Sequence, residues 1–145
     1  MYEVQNEKQP MIGDIFMVEF DGVGSEQRGL RPALIFQNNK GNLHSPNVIV
    51  LPLTSKIKKT RQPTHVFVPS NGTNLKRNSI VLCENPMSIS KTRLGKYVTT
   101  LPDSYMGEIA AAHLLATSAI AYMDMSTIAD ICNRAAKLNS ACKAS

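Results

Sequence analysis

Apolar and polar positions interleave from residue 12 to 20, where Phe16, Val18 and Phe20 alternate with Ile15, Met17 and Glu19. That period of two is the mark of a strand with one well-buried face. Residues 21–30 interrupt it with three glycines among polar side chains and read as a flexible loop. Short runs rich in branched apolar residues follow at 33–36 and 48–53, bounded by Pro32, Asn38 and Asn39 and by Ser45-Pro46-Asn47, and both read as core strands. Pro52 has no N–H to give to a ladder, so the second run is expected at a sheet edge or bulged near its end. Residues 64–68, 79–84 and 97–101 bring the total to about six short strands at the spacing of a small barrel. Between the last two, 88–94 fits a single helical turn started by Ser88.

Beyond Pro102 the period lengthens to that of a helix. Met106, Ile109, Ala110, His113, Thr117, Ile120 and Ala121 recur on one stripe, with Asp103 or Ser104 placed to cap the start. A second stripe of Ile128, Ile131, Cys132, Ala135, Leu138 and Cys142 follows Ser126. The fold class is therefore mainly β with C-terminal helices (α+β). The organisation is a β body with its helix over 1–124 and a helical tail over 125–145. The apolar stretch 109–123 contains His113, Thr117 and Ser118 and falls short of the ~20 residues a membrane-spanning helix needs. It reads as a buried or interface helix, packed partly on the body and partly beside a subunit boundary.

Composition narrows the class. A chain of 145 residues suits one domain, and 43% apolar with 19% charged residues is ordinary globular usage. The net charge of +5 favours a polyanionic partner such as nucleic acid or an acidic protein segment. Cys83, Cys132 and Cys142 are odd in number and lack C-x-x-C spacing, which argues against a disulfide framework and a cysteine-built zinc site and points to a reducing cytoplasm. Residues 1–10 have neither the basic start nor the apolar core of a secretory signal. His44, His65 and His113 are scattered over a turn, a strand and a helix and form no acid–base or ligand motif, so no metal and no cofactor is expected. His65 and His113 read as hydrogen-bonded or interface histidines.

One ordered series of short matches stands out. Gly13-Asp14 is followed by Gly24-Ser25-Glu26-Gln27-Arg28-Gly29-Leu30-Arg31-Pro32, Gln37-Asn38, Gly41-Asn42, Ser45-Pro46, Thr54-Ser55, Pro63-Thr64-His65-Val66, Ser79-Ile80-Val81-Leu82 and Lys91-Thr92-Arg93-Leu94. In this order and spacing the chain resembles the MazF/PemK family of toxin endoribonucleases, over most of its length up to about Met123. The resemblance implies a homodimer of small SH3-like or CcdB-like barrels that cleaves single-stranded mRNA at short motifs and is inhibited by a cognate antitoxin. It places the family's catalytic arginine on Arg31, its catalytic threonine on Thr54, and its loop glutamate on Glu26, flanked by Ser25 and Gln27. Where many relatives carry an acidic residue, Gln, Ile or Val, and then a basic residue, this chain has Glu84-Asn85-Pro86-Met87 and lacks the base.

The chemistry asks for those residue types. Metal-free RNA cleavage uses the substrate's own 2′-hydroxyl, so the protein needs to position the chain and neutralise charge on phosphate oxygens. An arginine fork suits that work and stays charged at physiological pH. Thr54 can give one hydrogen bond but is a poor proton acceptor; which group takes the 2′ proton stays open, with Glu26 a candidate on the geometry that the resemblance implies. Taken alone, an arginine before proline reads as a solvated charge and a strand-ending threonine as a turn; the family context reverses both. Arg28 and the cluster Lys56, Lys58, Lys59 and Arg61 are candidate phosphate contacts, against the plain reading of a solvated loop. Lys91, Arg93 and Lys96 read as surface charge. Phe67 and Tyr97 suit base stacking but at strand positions read first as core. Two alternatives use the same fold without cleavage: a topoisomerase poison of the CcdB kind, or a degenerate relative that only binds an antitoxin.

Overall fold

The long apolar runs of the first half become strands because both of their faces find cover. In the computed structural model, which describes residues 8–22, 28–57 and 62–140, the elements are β1 (Asp14–Asp21), β2 (Arg28–Ile35), α1 (Asn39–His44), β3 (Asn47–Thr54), β4 (His65–Val68), β5 (Ser79–Leu82), β6 (Met87–Ser90), β7 (Leu94–Thr100), α2 (Asp103–Ala116) and α3 (Met125–Ser140). Single 3-10 turns lie at Lys91–Arg93 and Ala119–Tyr122. Among the described residues the strands make one seven-stranded sheet in the order β4-β5-β3-β2-β1-β7, with β6 on β3, and the strand pairs are antiparallel.

Cross-strand rows divide the core in two. Ile15, Leu34 and Leu51 are directly opposed and point to one face, where they join Leu53, Val66, Val68, Val81 and Leu101 beneath Ile109 and Ala112 of α2. Phe16, Val18, Phe20, Ala33, Ile35, Val48 and Val50 point to the other and meet Ile89 of β6. Each such side chain contributes about 1.5–3 kcal/mol when fully buried. With two buried faces a one-residue slip of any central strand would misplace apolar groups on both, so the register is tightly specified.

Several expectations are corrected. The barrel does not close: β4 and β7 end the strand order, and the first core is covered by α2, which packs against β4, instead of by a further ladder. β3 is no edge strand. Its residues up to Val50 pair with β6 and those from Leu53 pair with β5, so Pro52 sits where the neighbour changes and its missing donor is needed least. Ser88 lies inside β6, and the 3-10 turn is capped instead by Ser90, whose hydroxyl accepts from Thr92 N. Asp21 and residues 28–30, expected in a loop, belong to paired strands. Neither Asp103 nor Ser104 caps α2; the cap position is Pro102, with no side-chain bond. α2 stops at Ala116, so Ile120 and Ala121 leave its stripe and are exposed. α3 starts one residue earlier than expected, capped by Asp124, whose Oδ1 accepts from Thr127 N at 2.8 Å.

β7 joins β1 through two register shifts. Gly95 lies in the second, and a Cβ there would stand 2.8 Å from Met17 O, a contact only glycine avoids. At the other end of β1, Asp14 is 1% exposed and gathers three donors: Lys8 Nζ at 2.6 Å, Met11 N at 2.9 Å and Thr100 Oγ1 at 2.6 Å. It ties the segment before β1 to the end of β7. Asp14→Ala strands these donors and should lower unfolding stability by about 2–3 kcal/mol. A urea titration checks this: a midpoint shift worth less than about 0.5 kcal/mol would show that Asp14 does not hold the two strand ends together.

Candidate active site

β2 and β3 form the centre of the sheet and carry the two residues assigned to catalysis. Arg31 is opposite Val18 in the β1–β2 ladder. Ala33 opposite Pro52 is the last pair of the β2–β3 ladder, and Arg31 and Thr54 stand two residues beyond it, one on each strand. Directly opposed residues share a face, one strand spacing of about 5 Å apart. Thr54 in turn opposes Ile80 of β5, and Ile80 opposes Phe67 of β4. A row Thr54–Ile80–Phe67 therefore crosses three strands on one face, and both Arg31 and Thr54 are partly exposed.

Thr54 ends β3, and its Oγ1 accepts from Lys56 N at 3.2 Å. That bond fixes the turn and uses a lone pair, which leaves the hydroxyl proton to donate to an oxygen in front of the sheet. Lys56 itself is exposed. Glu26, Ser25, Gln27, Lys58, Lys59 and Arg61 lie outside the described residues, and of Arg28 only the backbone, paired with Asp21, is described. The structure thus brings Arg31, Thr54 and Lys56 to one region.

Other charged and aromatic groups turn out to be structural. His65 begins β4, and its Nε2 lies 2.9 Å from Glu84 Oε1, while Glu84 Oε2 is buried without a hydrogen-bond partner. His113 Nδ1 bonds Cys83 O at 3.1 Å and its ring meets Phe36 edge-on. His44 ends α1 and is exposed. Tyr97 packs edge-on against Phe16 and bonds Thr100 Oγ1 at 2.6 Å. Arg93, expected as plain surface charge, donates from Nη2 to Glu19 O at 2.6 Å and so clasps the β1–β2 hairpin. Nothing in the sequence signals that bond, since its ends are 74 residues apart. The His65–Glu84 pair was also missed, although Glu84 was visible as the acidic residue of the departing Glu84-Asn85-Pro86-Met87 segment. That segment forms the turn in which Asn85 N bonds Leu82 O, and it carries the chain from β5 to β6.

With this geometry in place, comparison with known proteins decides the family. The family described as PemK-like, MazF-like toxin of type II toxin-antitoxin system matches residues 12–115. The chain belongs to that family. An endoribonuclease MazF of Staphylococcus saprophyticus is 40% identical over 98 residues, covering 67% of this chain and 82% of the relative. Among solved structures, the toxin MazF-mt6 of Mycobacterium tuberculosis superposes with a TM-score of 0.61 at 27% identity, over 71% of this chain and 94% of that one. An endoribonuclease of a mycobacterial species, solved with its cognate antitoxin, gives a TM-score of 0.60 at 26% identity, over 74% and 93%. As a member of the MazF/PemK family the protein is an endoribonuclease. The family match stops inside α2 and leaves α3 outside it.

Among the described residues no group of three or more His, Cys, Asp or Glu side chains could hold a metal ion, and no helix is long and apolar enough to cross a membrane. Cys83 is fully buried, and burial, helped by the neighbouring Glu84 charge, pushes its thiol up to about 12. It stays protonated and is no nucleophile. At pH 8, iodoacetamide should label exposed Cys132 and spare Cys83 in the native protein. Peptide mapping that found both labelled at equal rates would contradict the burial described.

Proposed function

We propose that this toxin cuts single-stranded mRNA at a short sequence motif, without a metal ion, with Arg31 and Thr54 at the scissile phosphate. The observation that supports the reading is that Arg31 and Thr54, both partly exposed, each stand two residues beyond the last pair of the β2–β3 ladder. The 2′ oxygen of the substrate forms a bond to the adjacent phosphorus as the P–O5′ bond breaks. A base removes the 2′ proton and O5′ takes one up, which leaves a 2′,3′-cyclic phosphate and a 5′-hydroxyl. Arg31 offsets the charge that builds on the phosphate oxygens, and Thr54 gives a hydrogen bond to the same group. Glu26 is the assigned base. Ser25, Gln27, Arg28, Lys56, Lys58 and Lys59 hold the strand, the lysines through phosphates.

The protein acts as a cytoplasmic homodimer, with α2 partly at the subunit boundary and the catalytic body within residues 1–124. A cognate antitoxin inhibits it, and the solved complex of a mycobacterial relative with its antitoxin supports that partner. An acidic, disordered antitoxin segment would meet the same basic face as RNA, and the two would compete.

Purified protein incubated with a long mixed-sequence RNA in EDTA should cleave it at a recurring motif and leave cyclic phosphate ends. Arg31→Ala should slow the reaction about a hundred- to thousandfold without loss of fold, and Thr54→Ala should also slow it strongly. Cleavage that needs an added divalent ion, or an Arg31→Ala protein as fast as wild type, would sink the assignment.

A further inference from the structure

Phe67 occupies a place that the catalytic assignment leaves unused. Strand β4 alternates cleanly: Val66 and Val68 are buried in the core under α2, whereas His65 and Phe67 point to the opposite face. Phe67 is 39% exposed, although a phenylalanine on a short strand of a small sheet is normally core. Its position is set by two ladder pairs, Thr54 against Ile80 and Ile80 against Phe67, so it stands two strand spacings, about 10 Å, from Thr54 on the same face. Ile80 between them is buried, at 6% exposed, so of this β4–β5 pair it is Phe67 that reaches the surface. The chain that joins Thr54 to His65 contains Lys56, Lys58, Lys59 and Arg61, so the sequence between the two ends of this row is strongly basic.

An exposed aromatic two strands from Thr54, with the exposed Lys56 two residues beyond that threonine, matches the way proteins hold single-stranded RNA. Bases splayed from an unpaired strand stack on aromatic rings while cations follow the phosphates. We propose that Phe67 is a substrate-binding residue, stacking on an RNA base next to the scissile phosphate and so fixing which phosphate reaches Arg31 and Thr54. This rests on the reading of the protein as an RNA-cutting enzyme and deepens it. Stacking is as strong before the reaction as during it, so its loss appears in KM and leaves kcat nearly unchanged.

The test uses the full chain and the shortest RNA that it cuts. Phe67→Ala should raise KM about five- to a hundredfold with kcat within about twofold, Phe67→Leu should behave like Phe67→Ala, and Phe67→Trp should restore KM. Removing single bases from the RNA should raise KM for wild type at one position near the cut, and that position should make no further difference to Phe67→Ala. The natural chain has no tryptophan, so Phe67→Trp also places a single fluorophore at the site. Its emission should be quenched by the same RNA made uncleavable with a 2′-deoxy sugar at the scissile nucleotide. Unchanged KM in Phe67→Ala, full rescue by Phe67→Leu, an unquenched tryptophan, or a change in oligomeric state with Phe67→Ala would each overturn the inference. In all four cases wild type would still cleave RNA; wild-type protein that cuts no RNA would instead reject the functional reading beneath it.

Discussion

The antiparallel register between β2 and β3 is the constraint on which the rest of the molecule depends. Ala33 opposite Pro52, Leu34 opposite Leu51 and Ile35 opposite Val50 lock the two strands through side chains buried on both faces. A slip by one residue would drive Leu34 out of one core and Ala33 and Ile35 out of the other, a loss of several buried side chains at about 1.5–3 kcal/mol each. Arg31 and Thr54 stand just past the end of this ladder. Packing energy in the apolar half of these strands thus anchors the two segments that carry these polar side chains.

Around that pair, the motif residues of the chain divide into those that face substrate and those that hold the frame. Gln37, Asn38, Gly41 and Asn42, all part of the family resemblance, build α1: Asn38 Oδ1 caps Gly41 N at 2.9 Å, and Asn42 Nδ2 donates to Gln37 O at 2.9 Å. Asn39 is 2% exposed, and its Oδ1 accepts from Ile12 N at 2.7 Å. These amides close the connection between β2 and β3 at the end away from Thr54. α3 docks on the same helix, with Asn139 Oδ1 accepting from Asn39 N at 2.9 Å. The tail outside the family match is therefore anchored far from the proposed catalytic row, where it adds to the frame without covering the site.

How much of this was legible follows from where the stabilising partners lie. β1 and β3 were legible because their alternation and branched content report burial directly, and α2 because its apolar positions recur at helical spacing. α1 was not: a six-residue helix of Asn, Lys, Gly, Asn, Leu and His has poor intrinsic propensity, and its partners Ile12 and Asn139 are remote in sequence. β6 was hidden for a similar reason, since a strand of Met87, Ser88, Ile89 and Ser90 after Pro86 exists only because the first half of β3 has an unpaired edge to offer. The strand content and the C-terminal helices were legible, but strand count and spacing do not say whether the last edge is met by another strand or, as here, covered by a helix. At the site, Arg31 and Thr54 were singled out by family resemblance, and nothing in their spacing along the chain says that both stand just past the end of one ladder. The exposure of Phe67 was invisible, because nothing in its type distinguishes a ring over the core from one over an open face.

The central proposal is that Arg31 and Thr54, which stand just past the last pair of the β2–β3 ladder, act together on one phosphate. A kinetic double-mutant cycle tests it most directly: kcat/KM for RNA cleavage in EDTA, measured for wild type, Arg31→Ala, Thr54→Ala and the double variant. Groups that serve one phosphate as a unit lose their effect together, so the account predicts a double variant scarcely slower than Arg31→Ala alone. Losses that multiply, as for two independent sites, would show that the pair shares a face without sharing the reaction.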